Sequence, residues 1–168
     1  MSANLDNLSL INDPVEALKN SFRHHASGVT VITLLDSDGK PVGFTATSVT
    51  SLGATPPLAS FNVASGSSTW PSLCNATWVA IHTLGEENQA LAQKMATDHT
   101  KRFLDEDWVS GPKGLPIFPE ATSVLIAGIR EVHAVENNAV VIVDVVEGLA
   151  SGIEQRPLLY FQRGYLIG

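Results

Sequence analysis

Cysteine is almost missing from this sequence: Cys74 stands alone, and one thiol excludes an intrachain disulfide framework. Basic residues are scarce too. Ten Lys and Arg face 17 Asp and Glu, a formal net charge of −7, and no basic cluster is present to follow a nucleic-acid backbone. No apolar run approaches the roughly 20 residues a membrane-spanning helix needs. The opening MSANLDNLSLINDP lacks a basic stretch ahead of an apolar core, so no secretory signal is read there. These absences make the cytoplasm the expected address and set nucleic acid and membrane aside as partners.

The familiar catalytic signatures are absent as well: no G-x-G-x-x-G, no Walker loop, no G-x-S-x-G elbow. Five histidines are present, but only His24 and His25 adjoin, and neighbours on a helix point in different directions. No ligand spacing of the usual kind appears, so no metal site is expected. Cys74, beside Leu73, reads as packing rather than as a nucleophile. No residue is picked out as a catalytic acid, base or nucleophile.

What remains is an ordinary globule. A chain of 168 residues, 44% hydrophobic and 16% charged, suits one domain with a substantial core. Residues 1–12 are polar and unpatterned and are expected to be flexible; residues 13–168 are expected to form the domain. Asp13-Pro14-Val15-Glu16 places an N-cap, a proline at the first helical position and a carboxylate three residues after the cap. Val15, Leu18 and Phe22 then give a helix one apolar face, ending near residues 24–27. Residues 29–35 read as a strand, 36–39 as a turn, and 41–50 as the hairpin partner. Ala54-Thr55-Pro56-Pro57 is expected to break pairing before a strand over 58–63. A strand over 77–83 and a helix over 86–96 follow, then a proline- and glycine-rich excursion over 104–120. Residues 123–135 and 139–149 form a long hairpin, and 157–162 a last strand. Many strands and two good helices predict a mainly β fold, a closed antiparallel barrel with helices outside.

GFTATSVTSL, residues 43–52, carries a strand's β-branched residues, yet half of it is hydroxyl: Thr45, Thr47, Ser48, Thr50 and Ser51. A second hydroxyl-rich stretch, ASGSSTW at 64–70, lies beyond the strand over 58–63. If both sit at one end of a barrel, hydroxyls and loop amides converge on a rim suited to a phosphate or the polar edge of a ring system. The plainer alternative is a threonine-lined solvated strand and a flexible loop. Lys101-Arg102-Phe103 is similarly open: a solvated cationic pair beside an anchoring aromatic, or a guanidinium reaching that phosphate while Phe103 covers a ring.

The order of segments resembles the flavin reductase family, whose fold is the FMN-binding split barrel, a Greek-key barrel. The pieces are Phe22-Arg23, SGVTVIT at 27–33, DGKPVGFTATSVTS at 38–51, TPPL at 55–58 and SGSST at 65–69. WVAIHTL at 78–84, RF at 102–103, GLP at 114–116 and RGY at 163–165 complete the series. The resemblance implies transfer of a hydride from NADH or NADPH to FMN or FAD, a homodimer, and a partner monooxygenase that receives the reduced flavin. It implies flavin contacts from Thr45, Ala46, Thr47, Ser48, Val49 and Ser51, and from Asn62, Val63, Ser65, Ser68 and Thr69. Arg102 and Phe103 would serve the phosphate side, and Asn138 and Tyr165 the nicotinamide side. Three departures stand out. Thr47 replaces an asparagine of the family's T-A-N-S. Asn138 stands where members that use nicotinamide carry the histidine of G-D-H-T. Ile81-His82 replaces V-N, and His82 is expected at the polar rim. Asn138 motivates a second reading, a flavin-binding protein of this fold without efficient hydride uptake. A barrel that binds something other than flavin, such as an oligonucleotide, is the third, and the chain's acidity counts against it.

Overall fold

The computed structural model describes residues 7–168. Half of the segment expected to be flexible, residues 1–6, lies outside the described residues. Helix α1 spans Pro14–Arg23, and Asp13 caps it by accepting from the amides of Val15 and Glu16. Glu16 does not fold back into a capping box but pairs with Lys19 at 2.9 Å. The apolar face of α1 is uncovered: Val15, Leu18 and Phe22 are all more than half exposed.

Strands β1 (Ser27–Gly28) and β2 (Thr30–Leu35) follow, then β3 (Pro41–Ala46), β4 (Thr50–Ala54), β5 (Pro57–Ala64), helix α2 (Trp70–Leu73) and β6 (Trp78–Thr83). Helix α3 (Gln89–Ala96), β7 (Val109–Ser110), β8 (Pro116–Ile117), β9 (Ser123–Val135), β10 (Asn138–Ala150), β11 (Leu158–Phe161) and β12 (Gly164–Ile167) complete the chain. The main sheet has seven strands in the order β3-β2-β6-β9-β10-β5-β4, and β1-β11-β12 form a second sheet. The strand pairings in these two sheets are antiparallel.

Strand β2 explains the layering. It is buried on both faces, so its sequence reads as a continuous apolar run rather than an alternation. Ile32 and Leu34 face an inner core with Phe61, Val79, Ile81 and Val141. Val31 faces an outer core in which α3 supplies Leu91, Ala92 and Met95, and the excursion supplies Leu115, Ile117 and Phe118. The Thr33 hydroxyl, buried among these, donates to the carbonyl of Pro116 at 2.6 Å.

The mainly β expectation holds, and among the described residues no sheet closes on itself through a ladder; β3 and β4, consecutive in the chain, are the two ends of an open order. Four expectations need correction. The hairpin partner of β2 stops at Ala46, and β4 pairs with β5 instead. Residues 54–57 do not break pairing; Ala54 and Pro57 face each other across a tight turn. The last strand is β12, not the segment ending at 162. Cys74 is exposed, because it follows the short α2 whose buried residue is Leu73.

Candidate functional site

The stretch that stood out in the sequence is bent. Between β3 and β4, residues Thr47-Ser48-Val49 belong to neither strand. Each flanking strand is paired along one side only, so main-chain groups along this segment lack ladder partners. The two halves are anchored differently. The Thr45 hydroxyl donates to the carbonyl of Ala92 in α3 at 2.6 Å, and the carbonyl of Ala46 accepts from the buried Thr30 hydroxyl at 2.8 Å. The Ser48 hydroxyl accepts from the amide of Asn62 at 2.9 Å and so holds the bend against the end of β5. Ala46 and Val63 turn their side chains into the inner core, while Thr47, Ser51 and Asn62 are exposed.

The second hydroxyl-rich stretch arrives at the same place. The amide of Ser65 donates to the carbonyl of Asn137 at 3.0 Å, and Asn138 opens β10 opposite Ala64. The loop and the hairpin turn are therefore neighbours. Buried Thr69 directs its hydroxyl toward the carbonyl of Gly43 at 3.5 Å. Ser68 is exposed. Ser67, which the sequence did not single out, has a buried hydroxyl without a hydrogen-bond partner. Nothing in SGSST distinguishes the one serine that turns inward; loop conformation decides it.

Arg102 joins the cluster from the other side. One terminal nitrogen donates to the carbonyl of Gly43 at 2.7 Å, while Nε and the other terminal nitrogen donate to that of Thr97 at 3.2 and 2.7 Å. Partial burial lowers its pKa from the usual arginine value, opposed by the nearby charge of Asp98. Gly43 thus receives both Arg102 and Thr69, tying β3, the loop after β5 and the segment after α3 together. Phe103 does not accompany it outward: its ring stacks on Phe118 and meets Trp108 edge-on, each at 5.9 Å between centroids. Tyr165 stands apart on the small sheet, edge-on to Tyr160 at 5.5 Å.

His82 is not at the rim. It is fully buried, with Nδ1 3.0 Å from the carbonyl of Val31 and Nε2 3.2 Å from the amide of Phe118. An amide must donate, so Nε2 accepts and Nδ1 carries the proton. Burial pushes its pKa down to about 4. The ring is a neutral clamp between β2 and the excursion.

Segments 45–51, 62–69 and 136–138 form one contiguous surface of hydroxyls and main-chain groups around a bent strand, with Arg102 behind it. Glu136 is the one titratable residue among those segments. Among the described residues no group of three or more His, Cys, Asp or Glu is placed to hold a metal, and no helix is long and apolar enough to cross a membrane.

The flavin reductase like domain profile matches residues 22–167, nearly the whole chain. The chain belongs to the flavin reductase-like domain family. Among curated relatives, NADH:FMN oxidoreductase of Rhodococcus erythropolis is 39% identical over 149 residues, covering 86% of this chain and 77% of that protein. NADH:riboflavin 5'-phosphate oxidoreductase of Streptomyces pristinaespiralis is 30% identical over 151 residues, covering 89% and 86%. Among solved structures, a flavin reductase domain protein from Arthrobacter sp. FB24 superposes with a TM-score of 0.87 at 44% identity, covering 92% of this chain and 95% of that one.

A flavin-type ligand fits what this flavin reductase-like chain offers. The buried, unpartnered Ser67 hydroxyl is a group that ordinarily finds a partner, and the bend leaves main-chain donors and acceptors without ladder partners.

Proposed function

We propose that the chain is a flavin reductase that moves a hydride from NADH or NADPH to FMN or FAD. The observation that carries this reading is the meeting of the bent segment 45–51 with the loop 62–69, fastened by Ser48 to Asn62 and by Gly43 to Arg102 and Thr69. Segments 45–51 and 62–69 with Arg102 would hold the flavin, which would supply the acceptor for the hydride of the nicotinamide. The chain's residues then have three tasks. Main-chain groups of 47–49 and the Ser67 hydroxyl orient the polar edge of the ring and meet the negative charge that grows there on reduction. Ser65, Ser68 and Arg102 lie toward the phosphate, with Arg102 also bracing β3. Asn138, beside Ala64, faces the side from which a nicotinamide approaches. No side-chain acid or base is required, in keeping with a rim nearly free of titratable groups.

Residues 13–168 act as one domain in this reading, and the strands form a split barrel in which the chain itself closes the ring: β3 and β4 are joined through the 47–49 bend. Two copies pair. The uncovered faces favour this, namely Val15, Leu18 and Phe22 on α1, Leu52 on β4, and Val132, Val135, Val146 and Leu149 on the long β9–β10 hairpin. A partner monooxygenase consumes the reduced flavin, and the cytoplasm is the place of action.

Flavin fluorescence titration followed by rapid mixing with NADH and with NADPH tests the assignment. Quenching on binding and bleaching of the bound flavin on a catalytic timescale are expected. Flavin that stays oxidised with both donors removes the enzyme assignment and leaves the second reading, binding without efficient hydride uptake, which Asn138 favours. Under that reading Asn138→His accelerates reduction.

A further inference from the structure

From the end of α3 the chain runs toward β7 almost entirely in the open. Every residue from Ala96 to Asp107 is exposed except Arg102 and Phe103. The two are consecutive, yet their side chains part: Arg102 reaches the carbonyl of Gly43 on β3, and Phe103 packs against the outer core. The guanidinium's own bonds do not fix it to β3. Nε and one terminal nitrogen donate to Thr97, which belongs to the same segment. Among the described residues only the 2.7 Å bond to Gly43 ties the guanidinium to another element. Lys94 pairs with Asp105 and Asp107, but pairs with exposed carboxylates hold a segment weakly. A single bond across does not offset the entropy of ordering so long a stretch.

Phe103 supplies the missing hold. Its ring lies on that of Phe118 with centroids 5.9 Å apart and planes 27° from parallel, and Trp108 meets it edge-on. Phe118 is a firm base, fully buried and gripped on several sides. Its amide donates to Nε2 of His82 at 3.2 Å, and its ring meets the His82 ring edge-on at 5.6 Å. The Lys94 ammonium stands 5.5 Å from its centroid. Packed rings of this kind contribute more than the area they bury. An unbroken line of contacts thus runs from His82 on β6 through Phe118 and Phe103 to the residue that carries the guanidinium.

We propose that Phe103 is a positioning residue for Arg102: stacked on Phe118, it pins the one segment that presents the guanidinium and so keeps that group against β3. The ligand this serves rests on the flavin reductase reading; the packing does not. Of the five N–H donors a guanidinium carries, three are engaged by Thr97 and Gly43 among the described residues, and the two left over can fork onto a phosphate. Recognition of a flavin phosphate then depends on a ring that touches no phosphate. Plain core packing is the competing role for Phe103, and it predicts equal consequences for flavins with and without a phosphate.

The test uses the full chain with Phe103→Leu and Phe103→Met, which remove the ring, Phe103→Tyr, which keeps it, and Arg102→Gln. The ring-removing variants are expected to raise Kd and KM for FMN about tenfold. The Kd for riboflavin, which has no phosphate, and kcat at saturating FMN should stay at wild-type values, and Phe103→Tyr should restore FMN affinity. In an Arg102→Gln background, Phe103→Leu is expected to add no further loss, because the ring acts through the guanidinium. A second measurement needs no flavin: the NMR order parameter of the Arg102 Nε–H bond should fall in Phe103→Leu and Phe103→Met and hold in Phe103→Tyr. Equal weakening of FMN and riboflavin, or additive losses in the double variant, overturns the proposal in favour of plain packing. An order parameter unchanged by loss of the ring overturns it outright. Failure of wild type to bind or reduce flavin, with the order parameter falling only where the ring is lost, sinks the flavin reductase reading and leaves the positioning of Arg102 standing.

Discussion

Strands β3 and β4 come from one hydroxyl-rich stretch and end up in opposite circumstances. β3 lies under α3: Gly43 and Ala46 are buried, Thr45 donates to Ala92, and Gly43 accepts from Arg102. Every residue of β4 is exposed. Composition does not separate them, since both carry threonine or serine and one glycine. The covering helix does. A hydroxyl beneath a helix must be bonded, because a buried polar group left alone is costly; a hydroxyl on an open edge is indifferent to partners until a ligand or a second chain covers it. One half of the stretch is therefore fastened, and the other is available.

The largest effect expected to sharpen this contrast lies behind β3, where His82 of β6 is bonded to its neighbour β2. His82 clamps Val31 and Phe118 as a neutral ring, its pKa lowered from 6.5 to about 4. The unfolded imidazole therefore takes up its proton first as pH falls. The stability linked to His82 is complete above pH 6.5, declines between 6.5 and about 4, and is gone below, amounting to about 3 kcal/mol. Urea midpoints measured across that window should fall in wild type and flatten in His82→Asn; identical slopes would mean that the ring is not the buried neutral clamp.

Next comes a paired glycine experiment. A Cβ at Gly43 would sit 2.6 Å from the carbonyl oxygen of Ile32 and 2.8 Å from Cε of Met95, whereas one at Gly53 meets nothing nearer than the carbonyl oxygen of Pro56 at 3.6 Å. Gly43→Ala is expected to cost about 2 kcal/mol through overpacking, and Gly53→Ala to stay within about 0.5 kcal/mol. Comparable losses at the two sites in thermal unfolding would break the contrast. The smallest effect concerns hydroxyls. Thr45→Val loses the bond to Ala92 and should cost about 1 kcal/mol, while Thr50→Val on the exposed half should be close to neutral. Equal melting temperatures for the two variants would show that the helix does not fasten β3 through Thr45.

Much of the fold was legible because the signals were local. Asp13-Pro14 set the start of α1, and Asp36 with Gly39 set the turn before β3, where the Asp36 carboxylate accepts from the amides of Asp38 and Lys40. β12 was missed because its turn is Gln-Arg, a pair without turn chemistry. The bend at 47–49 was missed because Thr45, Thr47, Val49 and Thr50 carry β-branched side chains through it, and no glycine or proline there breaks a strand. At the site, the meeting of the two hydroxyl-rich stretches was one of two readings that composition left open, and Ser67 turning inward, Phe103 turning to Phe118 and His82 lying in the core were not foreseen.

By itself the sequence determined most of the elements, the family to which the chain belongs and the kinds of groups on offer: hydroxyls, amides and few charges. Tertiary structure decided which of those groups are already engaged. That division has a physical cause. Helix, turn and strand preferences act over a few residues, whereas the partner of a hydroxyl or the proton on an imidazole depends on what the fold packs against it from distant parts of the chain, as Ala92 does for Thr45 and Phe118 for His82.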